Sequence, residues 1–181
     1  MKRKVKTSTI LAATLAICLT AMMLSCSKMA QERIEAQEKS LESYISTRMR
    51  ADTLLRRSIG DGVNYLYRPG DTTRTRQAGD TITFNYIGRL FSTRNDSIVF
   101  DTNIPQLARR MGIDLSDRRL VPLTVAAGSS GLIEGLNKGL MMTHPRDTGE
   151  IIFNSDLGFG SSPNGMIPSN SPLIYTVYML R

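Results

Sequence analysis

The stretch that most limits how this chain can fold runs from Leu123 to Pro168, LTVAAGSSGLIEGLNKGLMMTHPRDTGEIIFNSDLGFGSSPNGMIP. A Gly-rich entry leads into GLIEGLNKGLMM, where Leu132, Ile133, Leu136, Leu140 and Met141 recur at helical spacing. THPRDTG, dense in turn formers, ends that helix. EIIF follows and reads as a buried strand. The loop after it, SDLGFGSSPNGMIP, is built of Gly, Ser, Pro and Asn, yet it carries Leu157, Phe159, Met166 and Ile167. Apolar side chains on such a loop are expected to line something. Ile174, Tyr175, Val177 and Tyr178 then close the chain as a strand.

Upstream the period is two. Val63, Tyr65 and Tyr67 alternate with Asn64, Leu66 and Arg68, which predicts a strand turned by Pro69-Gly70-Asp71. Thr72 to Gln77 is polar and reads as a strand edge or loop. After the turn at Ala78-Gly79-Asp80, Ile82, Phe84 and Tyr86 face one way and Thr81, Thr83 and Asn85 the other. Ile98 to Asp101 makes a further strand. Segment 104–121 holds a helical piece, PQLARRMG, and a charged run, DLSDRR. Several strands with a single helix after them predict an α+β fold with an antiparallel sheet.

The N-terminal part is of a different kind. Lys2, Arg3, Lys4 and Lys6 precede an apolar run from Ile10 to Leu24, the pattern of a secretory signal. At about 15 residues the run is short for a membrane span. The formal charge of +7 is therefore misleading. Residues 1–25 hold four of the 23 basic residues and none of the 16 acidic ones, and without them the net charge is +3. No dense basic face with interleaved aromatics remains, so no nucleic-acid partner is expected. Ser25-Cys26 resembles the lipobox of bacterial lipoproteins, which makes Cys26 the expected lipidation site; an ordinary cleaved signal would leave it a free thiol. Residues 28–59 have no Gly or Pro. One or two helices are expected there, 29–49 and 51–58. Their thin stripe of Ile34, Leu41, Tyr44 and Ile45 suggests a solvated stalk, with packing on the domain or a dimer seam as alternatives. The expected organisation is a signal peptide over 1–25, a helical tether over 26–61 and a domain over 62–181 with an insertion at 104–121.

The chain offers little reactive chemistry. It has one histidine, and acylation of Cys26 would leave no free thiol beyond the signal, so no metal site is expected. His144, beside Pro145, reads as a solvated turn residue. Nothing in the spacing brings Ser129, Ser130, Ser161 or Ser162 to it, so a nucleophile–base pair is not indicated. AAGSSG and GFGSSPNG lack the context of a nucleotide loop. What remains is an apolar cluster on a loop and a helix, which binds, or catalyses by shape and exclusion of water.

From about Gly62 to Arg181 the chain resembles the FKBP-type peptidyl-prolyl cis-trans isomerases. AGDTITFNYIGRL is similar to that family's GD-x-V-x-V-x-Y-x-G-x-L, and IVFDTN to its x-F-D-S/T. GLIEGLNKGLMM is similar to x-V-I-x-G-W-x-x-G-L-x-x-M. SDLGFG and GMIPSNSPLIYTVYML resemble x-L-A-Y-G and x-I-P-P-N-x-x-L-x-F-x-V-x-L. The resemblance implies a curved antiparallel sheet wrapped on one short helix, and isomerisation of X–Pro bonds without a cofactor. It implies a site in which Tyr86, Asp101, Ile133 and Phe159 act on the substrate, Ile133 through its backbone N–H. Phe100, Leu123, Leu132, Leu136, Ile167 and Tyr175 would line the pocket. Leu136 stands where the family has its Trp floor, Phe159 where it has a loop Tyr, and Leu123 where it has an aromatic. These departures imply weak turnover, or a non-catalytic holding or assembly module. With the lipobox, the resemblance implies a lipid-anchored envelope protein facing the periplasm, whose partners are proline-containing polypeptides of the envelope.

Overall fold

The computed structural model describes residues 3–60, 62–70, 76–93, 98–113, 120–129 and 131–180, with side chains from Ser27 onward. The side chain of Cys26 thus lies outside the described residues, as does the whole charged run DLSDRR expected within 104–121. The chain divides into two compact units, Met1–Ala36 and Gln37–Arg181. The first is helical, part of α1 (Arg3–Ala51). Among the described residues no helix is long and apolar enough to cross a membrane.

The second unit is built on one antiparallel sheet. Its strands are β1 (Leu55–Ile59), β2 (Val63–Arg68), β3 (Thr81–Leu90), β4 (Val99–Thr102), β5 (Leu123–Ala126), β6 (Thr148–Phe153) and β7 (Leu173–Met179). They lie in the order β1-β2-β6-β7-β3-β4, and β5 pairs with β3 beside β4. Two short helices complete it, α2 (Pro105–Arg110) and α3 (Glu134–Met141). The curved sheet, the short helix and the N-terminal helix agree with the FKBP-like fold that the motifs imply.

The helix expected at 51–58 is instead a strand. α1 ends at Ala51, where Asp52 takes hydrogen bonds from Arg48 Nη1 (3.1 Å) and Arg68 Nη2 (3.0 Å). The chain then reverses through Gly60 and Gly62 so that Ile59 pairs with Val63. Gly62 has φ +79, a region that a Cβ disfavours. Two arginines hid this strand. Arg57 lies over the Tyr67 ring (5.3 Å) and donates to the Met142 carbonyl (3.1 Å), and Arg56 forms a two-pronged pair with Glu42 (2.8 and 2.7 Å).

Nor is α1 a solvated stalk over its last four turns. Leu41 and Ile45 are fully buried against Leu66, Ile152 and Ile174. These residues alternate along their strands with Tyr65, Ile151 and Tyr175, which face the main core. The sheet is therefore covered on both faces, and this is why EIIF and LIY carry unbroken apolar runs. The polar side of this second interface centres on Glu150. It accepts from Arg89 Nη2 (2.7 Å) and the Tyr44 hydroxyl (2.9 Å), with Arg48 Nε at 3.6 Å. Arg89 also donates to Thr176 Oγ1 (3.1 Å). Burial, then the charge of Glu150, pushes the Tyr44 phenol up to about 12.

On the opposite face α3 approaches the sheet through glycines. A Cβ on Gly135 would land on the Phe153 ring, and one on Gly139 on the Ile151 side chain. Leu136 and Leu140 flank this contact and are buried. His144 is not solvated either: it is 4% exposed. Its backbone N–H donates to Asp147 Oδ2 (2.7 Å), and Arg57 Nη1 lies 3.1 Å from its Nε2. Since arginine only donates, Nε2 is the acceptor, and Nδ1 carries the proton facing Asp147 at 3.5 Å. Asp147, fully buried, also accepts from the Tyr65 hydroxyl (3.2 Å) and the Gly70 N–H (2.9 Å). THPRDTG is a polar turn in composition, but the β1–β2 hairpin closes over it.

Candidate functional site

One edge of β3 is shared between two strands. β4 pairs with Ile87 to Arg89, and β5 with Thr81 to Phe84. Between the two ladders the backbone of Phe84 to Tyr86 would lack partners, and the motif FDTN supplies them. Asn103 Oδ1 accepts from the Tyr86 N–H (2.8 Å), and its Nδ2 donates to the carbonyls of Phe84 (3.2 Å) and Val121 (3.0 Å). The Thr102 hydroxyl donates to the Tyr86 carbonyl (2.6 Å). The Tyr86 hydroxyl in turn donates to Asp101 Oδ2 (2.9 Å). Tyr86 is thus held at its N–H, its carbonyl and its phenol by three consecutive residues.

The first residue of that motif, Phe100, is placed by a bulge. The β3–β4 register shifts between Gly88 and Arg89. A Cβ on Gly88 would stand 2.8 Å from the Phe100 ring and 3.2 Å from Tyr175, so glycine is what lets both rings close over the strand. Tyr175 is the hub. Its ring centroid is 5.7 Å from Phe100 in an edge contact, 6.0 Å from Tyr86, and 6.0 Å from Phe153 in a stack. Burial raises its phenol pKa, and the neighbouring Asp101 and Tyr86 raise it further.

Of the residues expected at the site, Tyr86, Phe100, Asp101 and Tyr175 are joined by these direct contacts. Leu123, Leu132, Ile133 and Phe159 are half-buried and pack against the same core, and Leu136 and Ile167 are buried within it. Leu132 and Ile133 do not form the first turn of the helix. Ile133 is the N-cap residue with extended backbone (φ −59, ψ 146), and α3 begins at Glu134. Its N–H has no acceptor among the described residues. The arrangement holds aromatic surface, the Asp101 carboxylate and the free backbone N–H of Ile133. Among the described residues there is no cluster that could hold a metal ion.

The loop that carries Phe159 and Ile167 is tightly bonded. Asn154 caps the turn Ser155–Leu157, and Asn164 and Ile167 exchange backbone hydrogen bonds of 2.9 Å. Sequence reasoning missed Thr102 and Asn103, although FDTN was in view; a polar residue just after a strand is a signal for a bond back to the strand edge. Replacing Asn103 with alanine is expected to cost about 2–3 kcal/mol, because it strands a buried N–H and two carbonyls. Urea denaturation measures this, and a change below about 0.5 kcal/mol would mean that water replaces the amide.

A family model described as FKBP-type peptidyl-prolyl cis-trans isomerase matches residues 72–180. Over 104 residues the chain is 26% identical to FK506-binding protein 1 of Aspergillus oryzae, which is 58% of this chain and 84% of that protein. It is 27% identical over 123 residues to FK506-binding protein 4 of Chaetomium thermophilum, covering 68% of this chain but 22% of the longer relative. The family match leaves α1, β1 and β2 outside it.

Proposed function

Since this chain belongs to the FKBP-type peptidyl-prolyl cis-trans isomerases, we propose that it speeds rotation about X–Pro bonds in polypeptides of the cell envelope, with modest turnover. The observation that carries the reading is the Tyr86–Asp101 hydrogen bond beside the rings of Phe100 and Tyr175. Rotation of an amide out of plane costs roughly 18–20 kcal/mol, because conjugation is lost. The twisted amide has a less polar carbonyl than the planar one. Aromatic walls that replace water around it favour the twisted state over the ground state, which is differential binding of the transition state. The unpaired Ile133 N–H is the donor suited to the substrate carbonyl. Asp101 orients the Tyr86 phenol and takes no proton in the step.

Phe159 offers no hydroxyl to the bound carbonyl, and Leu136 fills less of the floor than a tryptophan. Phe159→Tyr is therefore expected to raise kcat/KM about fivefold, the equivalent of one hydrogen bond of ~1 kcal/mol. A protease-coupled assay on Leu-Pro and Phe-Pro peptides reads it, and no gain would remove Phe159 from the site. The second reading, a holding module without turnover, is favoured by the same missing hydroxyl. A wild-type rate equal to buffer for every residue before proline would decide for it.

The envelope setting rests on the basic N-terminal residues and on Ser25-Cys26. In this reading Cys26 carries the acyl chains and the protein faces the periplasm. Each buried CH₂ contributes about 0.8 kcal/mol, and two or more chains hold stably. Cys26→Ser is expected to abolish incorporation of labelled palmitate and to move the protein from the membrane fraction to the soluble one. Retention in membranes with unchanged labelling would end the lipoprotein reading.

A further inference from the structure

The loop bearing Phe159 is closed by a residue that lies outside the family match. Gln37, in α1, accepts from the Ser155 N–H through Oε1 (3.0 Å) and donates through Nε2 to the Asn170 carbonyl (2.8 Å). These are the two ends of the loop. Both are also tied to Gly160, the residue after Phe159: the Gly160 N–H donates to the Ser155 carbonyl (2.8 Å), and the Asn170 N–H donates to the Gly160 carbonyl (2.7 Å). Gln37, Ser155, Gly160 and Asn170 therefore form a closed ring of four hydrogen bonds. The neighbouring Glu38 adds a bond from Asn154 Nδ2 (3.2 Å), and Asn154 caps the turn at Ser155. Ser155 is fully buried, and Asn170 adopts φ +59, so neither end re-forms its bonds freely if Gln37 is lost.

We infer that Gln37 is a positioning residue for the isomerase site: its amide clamps both ends of the loop and thereby fixes Phe159 against the core. The part of α1 that begins at Gln37 is thus a working part of the substrate mouth. The loop cannot open at Phe159 without breaking the ring, and Gln37 is the one member of that ring outside the family match. This inference rests on the isomerase reading for its kinetic consequence, but not for its structural one.

The test uses the full chain with Gln37→Ala, Gln37→Glu and, as a control on the same helix, Thr47→Ala. Thr47 bonds only within α1. Amide hydrogen exchange at Gly160 and Asn170 is the direct readout, and KM against kcat for a Leu-Pro peptide is the functional one. Gln37→Ala should speed exchange at both amides by about tenfold or more, the effect of two lost hydrogen bonds. KM should rise about threefold to tenfold, with kcat within about twofold. Gln37→Glu keeps the arm to Ser155 and loses the arm to Asn170, so it should release Asn170 and spare Gly160; it also decides the matter if the alanine variant fails to fold. Exchange at both amides equal to the Thr47→Ala control would overturn the inference, as would faster exchange with an unchanged KM in an active enzyme. If the wild type proves inactive, the isomerase reading falls, and exchange together with peptide affinity then decides the clamp.

Discussion

Glu150→Ala should lower the stability of the folded chain by about 3–5 kcal/mol, the cost of breaking a buried ion pair from one side. Glu150 is 8% exposed, and its carboxylate is the shared acceptor for Arg89 and Tyr44. Without it the partly buried Arg89 guanidinium keeps one of these bonds, to Thr176. The α1 face then keeps the apolar contact of Leu41 and Ile45 and the bonds of Gln37, Glu38 and Glu42, but loses its buried polar link. Urea denaturation gives the loss, and the Tyr44 absorbance titration gives a second check. Burial is the larger cause of the raised Tyr44 pKa and stays, whereas the Glu150 charge and hydrogen bond go. The phenol should therefore titrate below its value of about 12 in the variant, the more so because Arg89 and Arg48, which lower it, remain. A double change of Glu150 and Arg89 to methionine should recover most of the stability, since no unpaired charge remains. A single-variant loss under about 1 kcal/mol would show that the cluster is hydrated.

Gly139→Ala should also destabilise, although alanine favours a helix by about 1 kcal/mol over glycine. The new methyl would coincide with the side chain of Ile151, which is fully buried and has no free space to move into. Overpacking of this sort costs about 1–3 kcal/mol beyond the gain in propensity. Pairing Gly139→Ala with Ile151→Ala should cost much less than the sum of the two single changes, because the second makes room for the first. Additive losses would mean that α3 does not rest on β6 at this point.

The strands that alternate strictly were legible from the residues: Ile82, Phe84 and Tyr86 set the facing of β3, and Val63, Tyr65 and Tyr67 that of β2. β1 was not. Its apolar positions are replaced by arginines whose aliphatic stems and guanidinium groups do the packing, a role invisible to a periodicity count. The stalk reading failed for a related reason. Two residues, Leu41 and Ile45, make a thin stripe, but the sheet face that receives them is itself apolar, so two suffice. At the site the resemblance to the family's motifs named Tyr86, Phe100 and Asp101. It could not show that the next two residues mend the gap in β3, since that gap exists only once β4 and β5 share an edge. His144 was misjudged because turn composition describes the local chain and not what folds over it.

The shared edge of β3 has an engineering consequence. Thr102 leaves the sheet opposite Ile87, and Leu123 returns opposite Phe84. Exit and re-entry are thus separated by roughly 10 Å along a single strand. Whatever length of chain joins them, no ladder changes register, and closing a longer loop costs only about 0.6 kcal/mol per doubling. This gate post beside the aromatic hub is where a foreign peptide or a small domain can be spliced in, bringing a chosen recognition element to the doorstep of the aromatic rings.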